Sequence, residues 1–171
     1  METAYRIVLV LVPMLFSLTV HEYAHAFAAK RLGDDTAERM GRLTFNPISH
    51  IDPFGTLLVP AFAVLFHINF LFGWAKPVPI NPLRFRRDIS MRAGMAISAI
   101  AGPLSNIVLA VVSAIILRLA TFIPLPASVG KPIGQLLTIM VLINIVLAVF
   151  NLLPLPPLDG SRVLSWLLPP P

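Results

Sequence analysis

Four long stretches of this 171-residue chain contain no Asp, Glu, Lys or Arg, and they constrain the fold more than any other feature. They are Ile7–His21, Pro53–Ala75, Ala93–Leu117 and Pro132–Leu158. A helix that crosses a bilayer needs about 20 predominantly apolar residues. Three of the stretches are that long, and the first becomes so if its helix continues through Glu22 to Lys30. The pattern predicts an all-α, polytopic membrane protein.

The composition excludes the usual soluble classes. Hydrophobic residues make up 57% of the chain and charged residues 12%, against about 45–50% and about 25% in ordinary globular proteins. A soluble enzyme, a disordered tail and a nucleic-acid binder are therefore poor fits. The formal charge of +5 is better explained by basic cytoplasmic loops than by an anionic partner. Met1–Val20 is not interpreted as a signal peptide, because its basic region is thin and no small-residue cleavage site follows.

The strongest chemical signal is the run His21-Glu22-Tyr23-Ala24-His25, an H-E-x-x-H motif inside the first apolar stretch. Residues four apart share a helix face, so both imidazoles can reach one metal ion, and Glu22 lies beside them. Zinc suits two His ligands, needs a third protein ligand, and keeps a fourth position open in catalytic sites. Ionisable groups in a membrane helix are costly unless they are used. We therefore interpret the motif as a metal site and not as a chance match.

Asp159 is the best candidate for the third ligand. It ends the last charge-free stretch, in the proline-rich segment Asn151–Gly160. Prolines at membrane depth free polar groups, which is tolerated only where they face protein or a water-filled cavity. The alternative is that Asp159 simply caps a terminal helix. Among the other acidic residues Asp52, in a turn after the first helix, is the closest competitor, and Asp88 lies among arginines.

The sequence resembles the site-2 protease family of intramembrane zinc metalloproteases, peptidase family M50. The matching elements are the H-E-x-x-H motif, Gly73–Pro82, Ala101–Asn106 and Asn151–Gly160, in that order. The resemblance implies that His21, His25 and Asp159 bind one zinc ion and that Glu22 is the catalytic base. It also implies that Asn151 positions substrate or stabilises the oxyanion. Close relatives usually continue with further hydrophobic segments after the point where this chain ends at Pro171.

The function implied by this resemblance is zinc-dependent hydrolysis of peptide bonds in or near the transmembrane segments of other membrane proteins, as in regulated intramembrane proteolysis. The expected partners are a transmembrane protein substrate and the lipid bilayer, with no nucleic acid. A homo-oligomer is left open. Two alternatives also stay open: a membrane metal transporter, and a proteolytically inactive scaffold of the same fold.

The position of the metal site decides between a topology with three membrane-spanning helices and one with four. His21 lies ten residues, or about 15 Å of helix, before Arg31, so the metal would lie inside the bilayer near that face. Asp159 must reach the same depth from the same face of the membrane. The chain must therefore cross the membrane an even number of times between Lys30 and Asp159. We therefore predict that Pro53–Ala75, with its Gly and Pro residues, is a re-entrant or interfacial element, with four spans as the alternative. The predicted single domain, 1–171, then comprises helices near 5–30, 91–122 and 132–153 and a ligand segment at 151–160.

Loop charges predict the orientation. With three spans, Lys30–Asp52 and Lys76–Arg92 share one side and hold nine of the 13 Lys and Arg residues. The positive-inside rule places that side in the cytoplasm. We therefore expect a multi-pass protein of a cell membrane, prokaryotic, whose metal site opens toward the cytoplasm.

Two weaker features complete the sequence-based expectations. The small residues Ala101-Gly102 and the following Pro103 predict close packing of this helix against the first one, with Asn106 hydrogen-bonding inward. The Pro- and Gly-rich region Asn46–Ala75 predicts a non-helical, strand-like edge with which an unwound substrate pairs.

Overall fold

The described elements of the fold are helical throughout. The structure is a computed structural model that describes residues 2–66 and 74–169. In chain order the helices are α1 (Glu2–Arg31), α2 (Thr36–Arg39), α3 (Val59–Leu65), α4 (Met91–Ala120), α5 (Ala127–Asn151) and α6 (Asp159–Leu167). Short 3-10 turns cover Pro47–Ser49 and Pro82–Arg84, and a π-helical turn at Pro53–Leu58 leads into α3. The all-α prediction is confirmed.

Three helices, α1, α4 and α5, are long and apolar enough to cross a membrane. Each contacts the other two, and α6 packs on α4. Met14 and Leu18 of α1 meet Ile143 of α5 in a small buried core. The remaining large apolar side chains of these helices are mostly exposed, as expected for surfaces that face lipid instead of water. The prediction of three spans is confirmed.

The start of α5 differs from the prediction near residue 132. The helix begins at Ala127, after Pro126 at its N-cap, and passes through Lys131 and Pro132. Lys131 is exposed, and a lysine near a helix end extends its amine to the headgroup layer while its stem packs on apolar surface. A charged residue there therefore does not stop the helix. At the other end, α5 stops at Asn151 and α6 starts at Asp159, so Leu152–Leu158 forms the non-helical connection.

The hydrophobic element 53–75 folds back on itself. The Trp74 backbone N–H donates to the Gly55 carbonyl at 3.2 Å, and the Lys76 N–H donates to the His50 carbonyl at 3.0 Å. The Thr56 hydroxyl donates to the Trp74 carbonyl at 2.7 Å. Both ends of the element thus lie side by side. The shorter apolar helix α3 fits the predicted element, whose re-entrant or interfacial position stays a prediction, and its stretch 67–73, including His67, lies outside the described residues.

The expectation of a strand-like edge across Asn46–Ala75 is wrong for the described part of that region, which is largely helical. The Asn46 side chain accepts from the Ile48 N–H at 3.1 Å. The Asp52 carboxylate accepts from the N–H groups of Phe54 and Gly55 at 3.0 and 2.8 Å. An Asn or Asp cap followed by proline starts a helical turn, because the side chain satisfies the free N–H groups and proline presets φ. These prolines begin helical turns instead of breaking them.

The end of α1 is tied to the approach to α4. The Arg86 N–H donates to the Leu32 carbonyl at 2.8 Å, and the Asn81 N–H donates to the Asp34 carboxylate at 2.6 Å. Arg84 also forms an ion pair with Asp35. Both loops therefore lie at one end of the bundle, as the three-span topology requires.

Cysteine labelling tests this topology. Cysteines introduced at Thr36 and Ser90 are expected to react with a membrane-impermeant thiol reagent from the same side, and one at Ser128 from the opposite side. The reason is that element 53–75 is expected to enter and leave the membrane on the same side, whereas α4 crosses the membrane. The native chain has no cysteine, so the background is clean. Labelling of Thr36→Cys and Ser90→Cys from opposite sides would contradict the re-entrant element.

Candidate metal centre

Two imidazoles on one face of α1 form the first half of the centre. His21 and His25 are separated by one helical turn, both are buried, and their Nε2 atoms lie 2.9 Å apart. The i, i+4 spacing produces this convergence directly. The sequence motif therefore needs no tertiary contact to bring the two nitrogens together.

Asp159 supplies the second half. Its Oδ2 atom lies 3.3 Å from His21 Nε2 and 3.2 Å from His25 Nε2. The structure thus brings together the three predicted ligands from the two ends of the chain.

The seating of α6 against its neighbours aims Asp159 inward. A Cβ on Gly160 would lie 2.2 Å from the Leu152 carbonyl oxygen, so only glycine permits this approach of α6 to the end of α5. At the other end of α6, the Arg92 guanidinium donates to the carbonyls of Ser165 and Leu168. These are free C-terminal carbonyls that a cation satisfies. The ligand helix is held at both ends.

Hydrogen bonds to the far side of each ring set the tautomers. His25 Nδ1 lies 2.7 Å from the Ser98 backbone carbonyl, and His21 Nδ1 lies 2.6 Å from Asn106 Oδ1. Both partners are acceptors, so each Nδ1 carries the hydrogen and donates. Each Nε2 therefore presents a lone pair toward the other and toward the Asp159 carboxylate.

This donor set fits zinc. Ligands about 2.0–2.1 Å from a tetrahedral zinc ion lie about 3.3 Å from one another, close to the separations of His21 Nε2, His25 Nε2 and Asp159 Oδ2. Two lone pairs and a carboxylate at these distances repel each other unless a cation lies among them. The Nδ1–H hydrogen bonds are also the outer contacts that zinc-binding histidines usually make. These three residues would hold the ion.

Glu22 lies beside the ligands and has a backbone partner that sequence reasoning missed. Its carboxylate, His21 and His25 each offer a ligand atom within 4.8 Å of the others. Glu22 Oε2 accepts from the Val78 backbone N–H at 2.8 Å. Among the consecutive residues Pro77, Val78 and Pro79, Val78 alone has a backbone N–H to donate, because proline has none. The Pro-Val-Pro pattern is the sequence signal that could have indicated it.

A cavity of about 670 Å³ opens over these groups. Its wall is formed by residues of α1, the segment Trp74–Ile80, the end of α5 and the connection to Asp159. Asn151 lies on this wall and donates an amide hydrogen to the Leu147 carbonyl at 2.9 Å. The predicted site residue therefore lines the same cavity as the metal ligands, with one of its two amide hydrogens used within its own helix.

Close packing of α4 against α1 depends on Gly102. A Cβ at this position would lie 2.4 Å from His25 Nε2 and 2.7 Å from His21 Cε1. Carbon atoms in favourable contact lie about 3.5–4.0 Å apart. The prediction that small residues bring this helix against α1 is thus met at the ligand rings themselves.

The competing residues lie elsewhere. Asp52 caps the π-helical turn, and Asp88 pairs with Arg86 at 3.5 Å on the surface. His50, a further histidine that could bind a metal, has its Nε2 atom 2.9 Å from the Thr44 carbonyl oxygen. None of these three approaches the two histidines closely enough to appear among their contacts in the described parts of the chain.

Comparisons with known proteins identify a family and several relatives. The family described as peptidase family M50 matches residues 126–169. A protein named putative zinc metalloprotease YwhC, from Bacillus subtilis, is 44% identical over 161 residues, covering 93% of this chain and 68% of the relative. The putative zinc metalloprotease Rip2 of Mycolicibacterium smegmatis is 32% identical over 158 residues, covering 92% of this chain and 56% of the relative. The chain thus spans little more than half the length of Rip2.

No solved structure matches the chain significantly. The similarity to YwhC covers 93% of this chain at 44% identity. The chain therefore belongs to peptidase family M50, the site-2 protease family of zinc metalloproteases.

Proposed function

We propose that this protein is an intramembrane zinc endopeptidase that cleaves peptide bonds in or near the transmembrane segments of other membrane proteins. One observation carries the proposal: three metal-binding atoms lie 2.9–3.3 Å from one another, and Glu22 lies beside them. Family membership and the names of the relatives support the reaction class. Regulated intramembrane proteolysis is the process in which such an activity would act.

Each residue has a distinct role in the proposed reaction. His21, His25 and Asp159 hold one zinc ion, which when bound acidifies water and polarises a carbonyl group. Glu22 is anchored through Oε2 by the Val78 N–H. Its other oxygen would take a proton from the attacking water and pass it to the leaving amine. Asn151 has a second amide hydrogen that can donate to the oxyanion of the substrate.

Substrate entry requires local unwinding, because a helical backbone in the bilayer is fully hydrogen-bonded and hides its carbonyls. The extended segment Trp74–Ile80 lines the cavity and uses the N–H groups of Trp74, Lys76 and Val78 for contacts within the protein. Its other edge offers backbone carbonyls and the Ala75 N–H, because Pro77 and Pro79 have no N–H. An unwound substrate would pair there as an added strand mainly by donating its own N–H groups to these carbonyls. This moves the proposed substrate edge from 46–75 to the segment after it.

The transporter alternative has less support. A metal transporter needs several sets of ligands along its transit pathway. In residues 2–66 and 74–169 the structure has one cluster of three or more potential ligands, formed by His21, Glu22 and His25. Asp159 adjoins that same cluster. An inactive scaffold would have no reason to keep Glu22 anchored beside intact ligands.

We further propose that the protein resides in a prokaryotic cell membrane with the site opening toward the cytoplasm. The two basic loops lie at one end of the bundle, joined by the Asp34–Asn81 and Leu32–Arg86 hydrogen bonds. The positive-inside rule then gives the orientation.

Reconstitution distinguishes protease from transporter. The full chain in liposomes is mixed with single-span membrane proteins whose transmembrane helices carry Gly-Pro pairs that weaken the helix. We expect cleavage that a zinc chelator abolishes and added zinc restores, with no zinc uptake reported by an enclosed zinc-sensitive dye. Zinc uptake without cleavage of any of these proteins would contradict the proposal.

A further inference from the structure

A chain of buried amides reaches His21 from the opposite side of the bundle. Asn106 of α4 and Asn144 of α5 are both fully buried, as is Ser17 of α1. Asn106 Nδ2 donates to Asn144 Oδ1 at 2.8 Å, and Asn106 Oδ1 faces His21 Nδ1 at 2.6 Å. We call the chain Asn144–Asn106–His21 the amide relay.

The direction of the relay is determined at its far end. Asn144 Nδ2 lies 2.8 Å from the Met140 backbone carbonyl, which can only accept. The nitrogen of Asn144 must point there, and its second hydrogen goes to the Ser17 hydroxyl at 2.8 Å. Asn144 Oδ1 is therefore presented to Asn106.

That orientation passes to the metal ligand. Because Asn144 offers an oxygen, Asn106 must offer it Nδ2, and the Ser17 carbonyl at 3.4 Å accepts the other hydrogen. Asn106 Oδ1 is then the only amide atom left for His21. A carbonyl oxygen there requires hydrogen on His21 Nδ1 and leaves the lone pair on Nε2.

We propose that Asn106, oriented by Asn144, is a positioning residue that fixes the tautomer and the ring orientation of His21, so that Nε2 faces the metal. The inference rests on the proposed zinc site. If the amides only joined three helices, as polar side chains do in membranes, either amide orientation would serve. The acceptor-only carbonyls of Met140 and Ser17 allow one orientation.

Zinc affinity of the full chain in detergent, measured by competition with a chromophoric chelator, tests the relay. Asn106→Leu is expected to weaken zinc binding about 10–100-fold, the usual effect of losing an outer partner of a ligand. Asn144→Ala should weaken it by about 10-fold, at the low end of that range. Ser113→Ala, a buried polar position two turns beyond Asn106 on the same helix, should leave affinity unchanged. The visible spectrum of bound Co²⁺ should change with Asn106→Leu and not with Ser113→Ala.

The decisive comparison uses Asn106→Asp, whose two oxygens both accept. In the Asn106→Asp variant an oxygen faces His21 Nδ1 whichever way the side chain is turned, so its orientation no longer depends on Asn144. The Asn144 Oδ1 atom then faces a carboxylate oxygen, and the two oxygens repel each other. Asn144→Ala should therefore leave zinc affinity unchanged or raise it. An equal loss from Asn144→Ala in both backgrounds, or unchanged affinity in Asn106→Leu, would overturn the relay. Wild-type protein that fails to bind zinc would instead overturn the proposed function.

Discussion

Glu22→Gln is expected to lower the rate of peptide-bond cleavage by at least about 10²–10⁴-fold, the usual contribution of a general base, while zinc stays bound. The glutamine amide oxygen can still accept the Val78 N–H, which in the native protein reaches Glu22 Oε2 at 2.8 Å. The side chain therefore stays in place, and only its ability to take a proton is lost. Cleavage rate and zinc content of the purified variant are the two measurements.

Glu38→Gln provides the matched control. Glu38 lies on α2, about half exposed, and pairs with Lys30 at 2.6 Å. The same chemical change there should leave cleavage and zinc content at wild-type levels. Substantial cleavage by Glu22→Gln would remove the proposed mechanism, whereas loss of zinc from this variant would make Glu22 a ligand instead of a base.

Gly102→Ala is expected to disable the centre although it removes or replaces no polar group. The new methyl would lie 2.4 Å from His25 Nε2, so α4 must move away or the imidazole must rotate off the Ser98 carbonyl. A misplacement of about 1 Å at a reacting site can reduce the rate about 10²-fold. We expect a loss of cleavage of at least that size together with weaker zinc binding.

Gly134→Ala on α5 is the control for Gly102→Ala. A Cβ at Gly134 meets no atom within 4 Å among the described residues, so the same change should leave zinc affinity and cleavage unaltered. Circular dichroism of both variants would show whether the helices are retained. Wild-type zinc affinity in Gly102→Ala would mean that the rings are not packed against α4 as described.

Local geometry explains which parts of the centre the sequence could predict. His21 and His25 meet because residues four apart in a helix always share a face. Asp159 was predictable because a lone carboxylate after a long apolar run has few reasons to be there. The re-entrant element followed from the requirement that both ligand segments reach one depth.

Backbone partners and helix register were beyond sequence reasoning. The Ser98 carbonyl that holds His25 and the Val78 N–H that holds Glu22 are main-chain groups, which the residue type does not reveal. Asn144 meets Asn106 only because α5 packs against α4 in one register, and no short motif encodes that register. The Pro- and Gly-rich composition of Asn46–Ala75 favours a strand-like edge, but an Asx cap before proline, as at Asn46 and Asp52, begins a helical turn.

Metal content tests the central claim most directly. Wild-type protein, Asp159→Ala and Asp52→Ala are purified side by side and analysed for zinc per chain. If His21, His25 and Asp159 form the site, the wild type and Asp52→Ala should each retain about one zinc ion, as a three-ligand catalytic centre holds, and Asp159→Ala should lose most of it. Zinc retained by Asp159→Ala and lost from Asp52→Ala would contradict both the ligand assignment and the span count built on it.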